Sequence, residues 1–300
     1  HLGHVAGNCL PADIQYKYER MRGRRVLMLS GSDEHGTPIT VTADETGKSP
    51  QAVVDENHDA IFASLVKLGC SWGQTLDRRG VEFGGALYGR TSDPRHHELV
   101  QDILLELHEN GFLIQETMEQ FCSIADDGGI KFLPDRYVQG VCPACSAEGA
   151  RGDQCDACGA TYEANELKDP VSKLNPEIPV EIRETDHLFF RLDLLQGDLE
   201  NHAASRKSTW KPNVRAMTQN WLNMGLRPRA VTRDIEWGVK IPLDDEVWGE
   251  KRVYVWFDAV QGYLTCARIW SERIAEESGS ESDIWTVSYT HLTLPTIQPV

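Results

Sequence analysis

Val26-Leu27-Met28-Leu29, followed by Ser30-Gly31-Ser32-Asp33-Glu34-His35-Gly36-Thr37-Pro38, is the stretch on which the fold turns. Four apolar residues in a row, after Arg24-Arg25 and before a Ser-Gly break, read as a short buried strand. Upstream, Leu10, Ile14, Tyr18 and Met21 recur at helical spacing, and Gly23 stands where a helix would stop. Downstream, Ser49-Pro50 opens a second helix, with Ser as cap and Pro at the first position. Val54, Ile61, Leu65 and Leu68 give that helix one apolar face. Helix, strand, helix predicts half of a parallel α/β sheet. Ligands of such sheets sit beyond the carboxyl ends of the strands, which is where Asp33 falls. The plainer alternative is that Asp33 and Glu34 cap the Gly-Thr-Pro turn.

Further along, Asp93-Pro94 starts a helix carrying Leu99, Ile103 and Leu107, closed by Asn110-Gly111. Residues 115–190 read as an irregular insertion rich in Gly, Asp and Cys, with short β-like runs such as His187–Phe190. Val214, Met217, Trp221 and Met224, then Gly225, mark a helix leading out of it. Arg252–Phe257 alternates with β-forming residues, so a strand is expected there, ended by Asp258. Residues 287–300 have no charged residue and no amphipathic pattern, and are expected to be a non-native tail.

Three hundred residues suggest about two domains. The net charge of −16 argues against a free-standing nucleic-acid binder, although a local basic patch can still hold RNA. No run approaches the ~18 apolar residues of a membrane span, and no export signal is visible. Four of the eight cysteines form Cys142-Pro143-Ala144-Cys145 and Cys155-Asp156-Ala157-Cys158. Two tight turns, each offering two thiolates, make a tetrahedral site suited to structural Zn2+. A disulfide pair or a redox motif is the alternative, and a reducing, cytoplasmic setting favours the metal. Cys9, Cys70, Cys122 and Cys266 show no partner pattern and are expected in the core or incidental. His1 and His4, three apart around Gly3, would share one helix face and suit a phosphate at a helix start. A chance terminal run, or a two-ligand metal site, would give the same residues.

These pieces together resemble methionyl-tRNA synthetases, which are class I aminoacyl-tRNA synthetases. The resemblance is carried by His1-Leu2-Gly3-His4 with Asn8–Asp13 and Tyr18–Gly23, by Gly31–Pro38, by the paired CxxC units, by Thr232–Gly238 and by Tyr254–Tyr263. It runs from His1 to about residue 283 and implies a Rossmann-like nucleotide-binding domain split by a connective insert. The expected parts are residues 1–88 and 229–286 for the catalytic domain and 89–228 for the insert, with the zinc knuckle at 140–160. The implied reaction activates methionine with ATP and Mg2+, then charges tRNA(Met).

By the same resemblance His1, Gly3 and His4 serve ATP, and the two histidines are catalytic. Asp33 takes the amino acid's ammonium, Arg233 orients the acidic group, and Trp256, Ala259 and Tyr263 wall the side-chain pocket. A thioether suits aromatic walls, and Val260 stands where some members carry Pro. Without the resemblance, Trp256 and Tyr263 would be ordinary core aromatics and Arg233 a surface ion pair. It also implies a first strand before His1, a KMSKS loop and a helical anticodon domain, none of them matched. The chain is therefore expected to be a piece that makes little adenylate alone. Two other readings stay open: another class I synthetase or nucleotidyl transferase, and a non-catalytic zinc-knuckle RNA-binding protein.

Overall fold

A computed structural model describes residues 2–73, 84–124, 130–133, 137–152, 155–160, 162, 166–173 and 176–278. His1 and the expected tail at 287–300 lie outside the described residues. The first half of the chain runs α1 Leu2–His4, a π-helical turn Val5–Cys9, α2 Leu10–Met21, β1 Val26–Ser32, α3 Thr37–Thr46, α4 Pro50–Lys67, β2 Gly84–Arg90, α5 Pro94–Glu109 and β3 Leu113–Ile124. It continues with β4 Ile130–Phe132, β5 Val138–Val141, β6 Ala150–Arg151, β7 Lys168–Ser172, β8 Val180–Phe190, α6 Gln196–Ser205, α7 Pro212–Met224, β9 Arg229–Ala230 and β10 Thr232–Arg233. The last elements are α8 Asp245–Trp248, β11 Arg252–Val253, α9 Val255–Asp258, a 3-10 turn Ala259–Gln261 and α10 Gly262–Ser278.

Two compact units emerge. The first is formed by His1–Glu34, Gln51–Val100 and Asp258–Val300, the second by His35–Pro50 and Gln101–Phe257. In the first, β1 and β2 pair in parallel from Val26↔Gly84 to Ser32↔Arg90. Period-two alternation sends Met28 to one face of this sheet and Leu27 and Leu29 to the other. Tyr16, Leu65, Cys70 and Trp72 close over Met28, while Cys266, Ile269 and Trp270 of α10 close over Leu87 on the opposite face. The result is a helix–sheet–helix sandwich, in which each large buried side chain contributes about 1.5–3 kcal/mol.

The strand at residue 26 runs longer than the sequence suggests. Ser30 and Gly31 continue it, because Gly31 pairs with Gly89 across the ladder. A Cβ on Gly31 would sit 2.7 Å from the Gly89 carbonyl oxygen, and one on Gly89 would sit 2.4 Å from the Cys266 sulfur. Both glycines are therefore packing residues. The expected helix at 10–21 forms and stops at Gly23, whose φ is +76°. Its buried face differs: Ile14 and Met21 are 61% and 79% exposed, while Asp13 and Tyr16 point inward. Two stripes were available at helical spacing. The inward one wins because Asp13 accepts the Ser71 N–H at 2.8 Å and Tyr16 fills the space over Met28. On α4, Val53, Val54 and Leu65 are buried, whereas Ile61 is exposed, as is Leu68 just past its end. Thr37-Pro38 opens a helix of ten residues where a turn was expected, Pro again taking an early position.

In the second unit the expected irregular insertion is mostly a long ribbon. β3 and β8 pair antiparallel from Leu113↔Phe190 to Ser123↔Val180, in a sheet ordered β4-β3-β8-β9. A three-stranded sheet, β6-β5-β7, carries the cysteine turns. Phe121, Leu133, Tyr137, Val138, Cys142, Cys155 and Leu167 form its core, and Val41 of α3 joins them. The Tyr137 hydroxyl donates to Thr40 at 2.7 Å. Helix α7 forms and ends at Gly225, but Met217 and Met224 are exposed and Leu222 is the buried residue. The strand expected at 252–257 stops at Val253, since β10 offers it only two partners. Beyond them the β-forming side chains of Val255 and Trp256 enter a helical turn, so context overrides propensity.

Candidate active site and metal centre

Asp33 lies one residue past the carboxyl end of β1, exposed, and the next residue is an anchor. Glu34 is 2% exposed. Its carboxylate accepts from Ser32 Oγ at 2.5 Å and from Arg90 Nε at 2.9 and 3.0 Å, and also from Ser92 Oγ. Its N–H donates to Thr91 Oγ1 at 2.8 Å. Arg90 extends to Asp55 at 2.6 Å, and His58 Nδ1 lies 2.7 Å from Ser32 Oγ. The backbone bearing Asp33 is thus pinned to β2 and the turn after it. The N-cap position of α3 is Gly36, which has no side chain to cap with.

The same unit holds Ala259 and Tyr263, on the 3-10 turn and at the start of α10. Tyr263 is 45% exposed, and Trp256, in the second unit, is 69% exposed. Neither is a core aromatic. Arg233 makes no ion pair among the described residues. Its guanidinium lies 4.1 Å from the Tyr254 ring centroid and donates to the Thr232 carbonyl at 2.8 Å. Its neighbour Asp234 is the paired one, held by His187 Nε2 at 3.0 Å, by Thr185 Oγ1 at 3.0 Å and by Lys251. His4 is exposed at the end of α1, where the π-helical turn begins. His1 lies outside the described residues, so the expected histidine pair is seen only at His4.

The four expected cysteines do come together, with all four sulfurs within 4.8 Å of one another. Cys142–Cys158 is 3.9 Å and Cys145–Cys155 is 3.7 Å. A regular tetrahedron with Zn–S bonds of 2.3 Å has edges of about 3.8 Å. A disulfide needs about 2.05 Å, and all eight cysteines are free thiols. The turns repeat each other. Ser146 N–H donates to the Cys142 carbonyl at 3.0 Å and Gly159 N–H to the Cys155 carbonyl at 2.8 Å. Cys142 N–H and Cys155 N–H reach the Ala147 and Ala160 carbonyls. Each turn is completed by a left-handed residue, Ser146 at φ +60° and Gly159 at φ +73°. Burial pushes the Cys142 thiol up, but the N–H groups of Cys145 and Ala144 outweigh it and bring it down to about 7. The Ala147 N–H pulls Cys145 down, yet the Cys158 and Cys142 sulfurs carry it up to about 12. Four thiolates this close coexist only around a cation, so the donor set fits a metal ion. Cys70, Cys122 and Cys266 are buried core thiols, as expected.

The family model for tRNA synthetases class I (M) matches residues 1–293. The chain belongs to that family. A protein named methionine–tRNA ligase from Nocardioides sp. is 46% identical over 281 residues, covering 92% of this chain and 44% of its own length. One of the same name from Thermoplasma acidophilum is 43% identical, covering 96% and 48%. The chain thus spans less than half the length of these relatives. A crystal structure of Mycobacterium tuberculosis methionyl-tRNA synthetase bound by methionyl-adenylate superposes with a TM-score of 0.63 at 21% identity, over 96% of this chain and 47% of that one. That match supports the fold: a mixed α/β body with a parallel sheet.

Sequence reasoning missed the pairing of Glu34 with Arg90, because it joins residues 56 apart. It also missed the buried cluster of His187, Asp234 and Lys251. No described helix is long and apolar enough to cross a membrane. Burial holds the His187 imidazole below its ordinary value, and burial with the nearby Arg90 does the same for His58. Both therefore take up a proton less readily in the fold than in the unfolded chain, where they titrate near pH 6.5. Stability from these groups is therefore complete above that pH and falls as pH drops below it, by at most about 1.4 kcal/mol per pH unit for each. Urea midpoints at pH 7.5 and 5.0 check this. A lower midpoint at pH 5.0 is expected, and equal midpoints would show that both histidines titrate alike in the two states.

Proposed function

We propose that this chain carries the amino-acid-activating body of a methionine–tRNA ligase working in the cytoplasm. The observation that carries the reading is the family match over residues 1–293. In the first step a methionine carboxylate oxygen attacks the α-phosphorus of ATP, the bond to the β-phosphate bridging oxygen breaks, and pyrophosphate leaves with the electron pair. In the second a ribose hydroxyl of tRNA(Met) attacks the adenylate carbonyl. AMP departs, and the hydroxyl proton passes to solvent or phosphate.

The residues divide the work by chemistry. Asp33, fixed beyond the parallel strand, binds the ammonium group. Trp256, Ala259 and Tyr263 take the thioether side chain, and the solvent-exposed aromatic rings support this. Arg233 orients the acidic group. His4, with His1 and with Gly3 leaving room between them, stabilises charge on the reacting phosphate, since such transfers need positioning more than covalent help. Mg2+ accompanies ATP and neutralises phosphate charge. Cys142, Cys145, Cys155 and Cys158 hold one structural Zn2+. The catalytic domain is read as residues 1–88 and 229–286, split by the insert at 89–228.

Calorimetry with L-methionine tests the reading. Asp33→Asn removes a charge-assisted contact of about 1.5–3 kcal/mol, so affinity should fall roughly ten- to hundredfold. Leucine and isoleucine should not compete. Unchanged affinity in Asp33→Asn, or equal binding of isoleucine, would overturn it. RNA binding that depends on the cysteines, with indifference to ATP and methionine, would favour a zinc-knuckle RNA binder instead.

A further inference from the structure

We infer that the helical hairpin α6–α7, with the segment after it, is a binding surface for an RNA phosphodiester backbone. The first observation is charge segregation. In a chain of net charge −16, residues 201–233 contain no Asp or Glu, yet hold Arg206, Lys207, Lys211, Arg215, Arg227, Arg229 and Arg233. Among the described residues Arg206, Lys207, Arg215, Arg227 and Arg229 form no ion pair. An acidic body that leaves five cations uncompensated in one segment has concentrated a positive field there.

The second observation is local geometry. A cleft of about 600 Å³ lies along the hairpin, lined by Lys207, Trp210, Arg215 and Gln219 among others. Glu200, the carboxylate in its lining, is engaged by Gln196 at 2.5 Å. The Nε–H groups of Arg206 and Arg215 are buried with no acceptor among the described residues. A shielded guanidinium donor without an acceptor is costly, and a phosphate oxygen is the acceptor its fork fits best. Arg215 is held in place by its Nη1 bond to the Lys207 carbonyl at 2.9 Å.

The third observation selects the partner. Trp210 lines the cleft, and exposed Trp221 carries Arg229 over its ring at 5.4 Å. Basic groups interleaved with indoles suit a nucleic acid, whose bases stack while its phosphates are neutralised. An acidic peptide would use the cations but not the rings. The choice of RNA over DNA rests on the proposed tRNA-charging reaction.

Fluorescence anisotropy of a labelled tRNA(Met) transcript with the whole chain, from 50 to 200 mM salt, tests this. Lys207, Arg227 and Arg229 are exposed, so the triple variant K207Q/R227Q/R229Q should keep its circular dichroism spectrum. Its affinity at 100 mM salt should fall by about tenfold or more, and the slope of log K against log salt should shrink by about two. Arg215→Lys, which keeps charge but loses the fork, should weaken binding less than Arg215→Gln. Methionine binding by calorimetry should be unchanged in all of them. Tight RNA binding that ignores these substitutions would overturn the proposal. So would a chain that binds no RNA, or one that prefers poly-glutamate to RNA. If wild type binds RNA through the hairpin but not methionine, the synthetase reading fails and the surface stands. The converse result separates them the other way.

Discussion

Stripping the metal from the cysteine cluster is expected to melt the three-stranded knuckle sheet while leaving the parallel strands intact. Binding free energies of structural zinc in small modules run about 10–16 kcal/mol, comparable to or larger than the stability of a whole domain. The knuckle's own strands are short, four, two and five residues long. Two of its core residues, Cys142 and Cys155, belong to the four-thiol cluster that would hold the metal. Hydrogen exchange read by mass spectrometry should lose protection over residues 138–172 when a strong chelator is added, with residues 26–32 unaffected. Cys158→Ser should give the same pattern, because Cys158 is exposed and its substitution disturbs no core packing. Elemental analysis should find one zinc per chain. Protection unchanged after chelation would mean the four thiols are held by packing alone.

The second large effect is expected at Arg90. Replacing it by Met leaves Glu34 buried with its strongest cationic partner gone, a change that costs about 3–5 kcal/mol when a buried pair is broken. Denaturation in urea should show the loss. Glu34→Gln in the Arg90→Met background should recover part of it, and that coupling separates the pair from general damage to the fold. Where folded protein remains, methionine affinity should also drop, because the pinned backbone next to Asp33 is released. Stability unchanged in Arg90→Met would show that Ser32 and Ser92 satisfy the carboxylate alone.

What was legible followed from local chemistry. The strand at Val26, the Pro-initiated helices at 50 and 94, the helix leading to Gly225, and the stops at Gly23, Gly111 and Gly225 all depend on neighbours in the chain. So does the tetracysteine cluster, whose spacing dictates two turns. What was hidden depends on partners far away. β2, Gly84–Arg90, has too few apolar residues to announce a strand, and its glycines make sense only against Gly31 and Cys266. The ribbon of β3 and β8 was masked by its exposed polar residues, such as Gln115, Glu116 and Thr117, which pair across the strands rather than packing. Helix faces at 14–21 and 217–224 were misassigned because spacing identifies a stripe without saying which stripe the sheet will cover. Of the candidate site, the position of Asp33 just after a strand was legible. Its anchor Glu34 was not, since nothing near residue 34 hints at Arg90.

Helix α3 ties the knuckle into the primary structure in a way that a linear map conceals. Val41 and Thr40 are shared with the knuckle's core and with Tyr137, yet α3 departs from the chain only three residues after Glu34. The cysteine-bearing region is therefore not a detachable cassette. Excising residues 101–257 would strand α3 with Val41 bared to water, and grafting that stretch into another host would arrive without its lid. Any shuffling of such modules between relatives would have to carry residues 35–50 along, two cuts and two splices where one would seem to suffice.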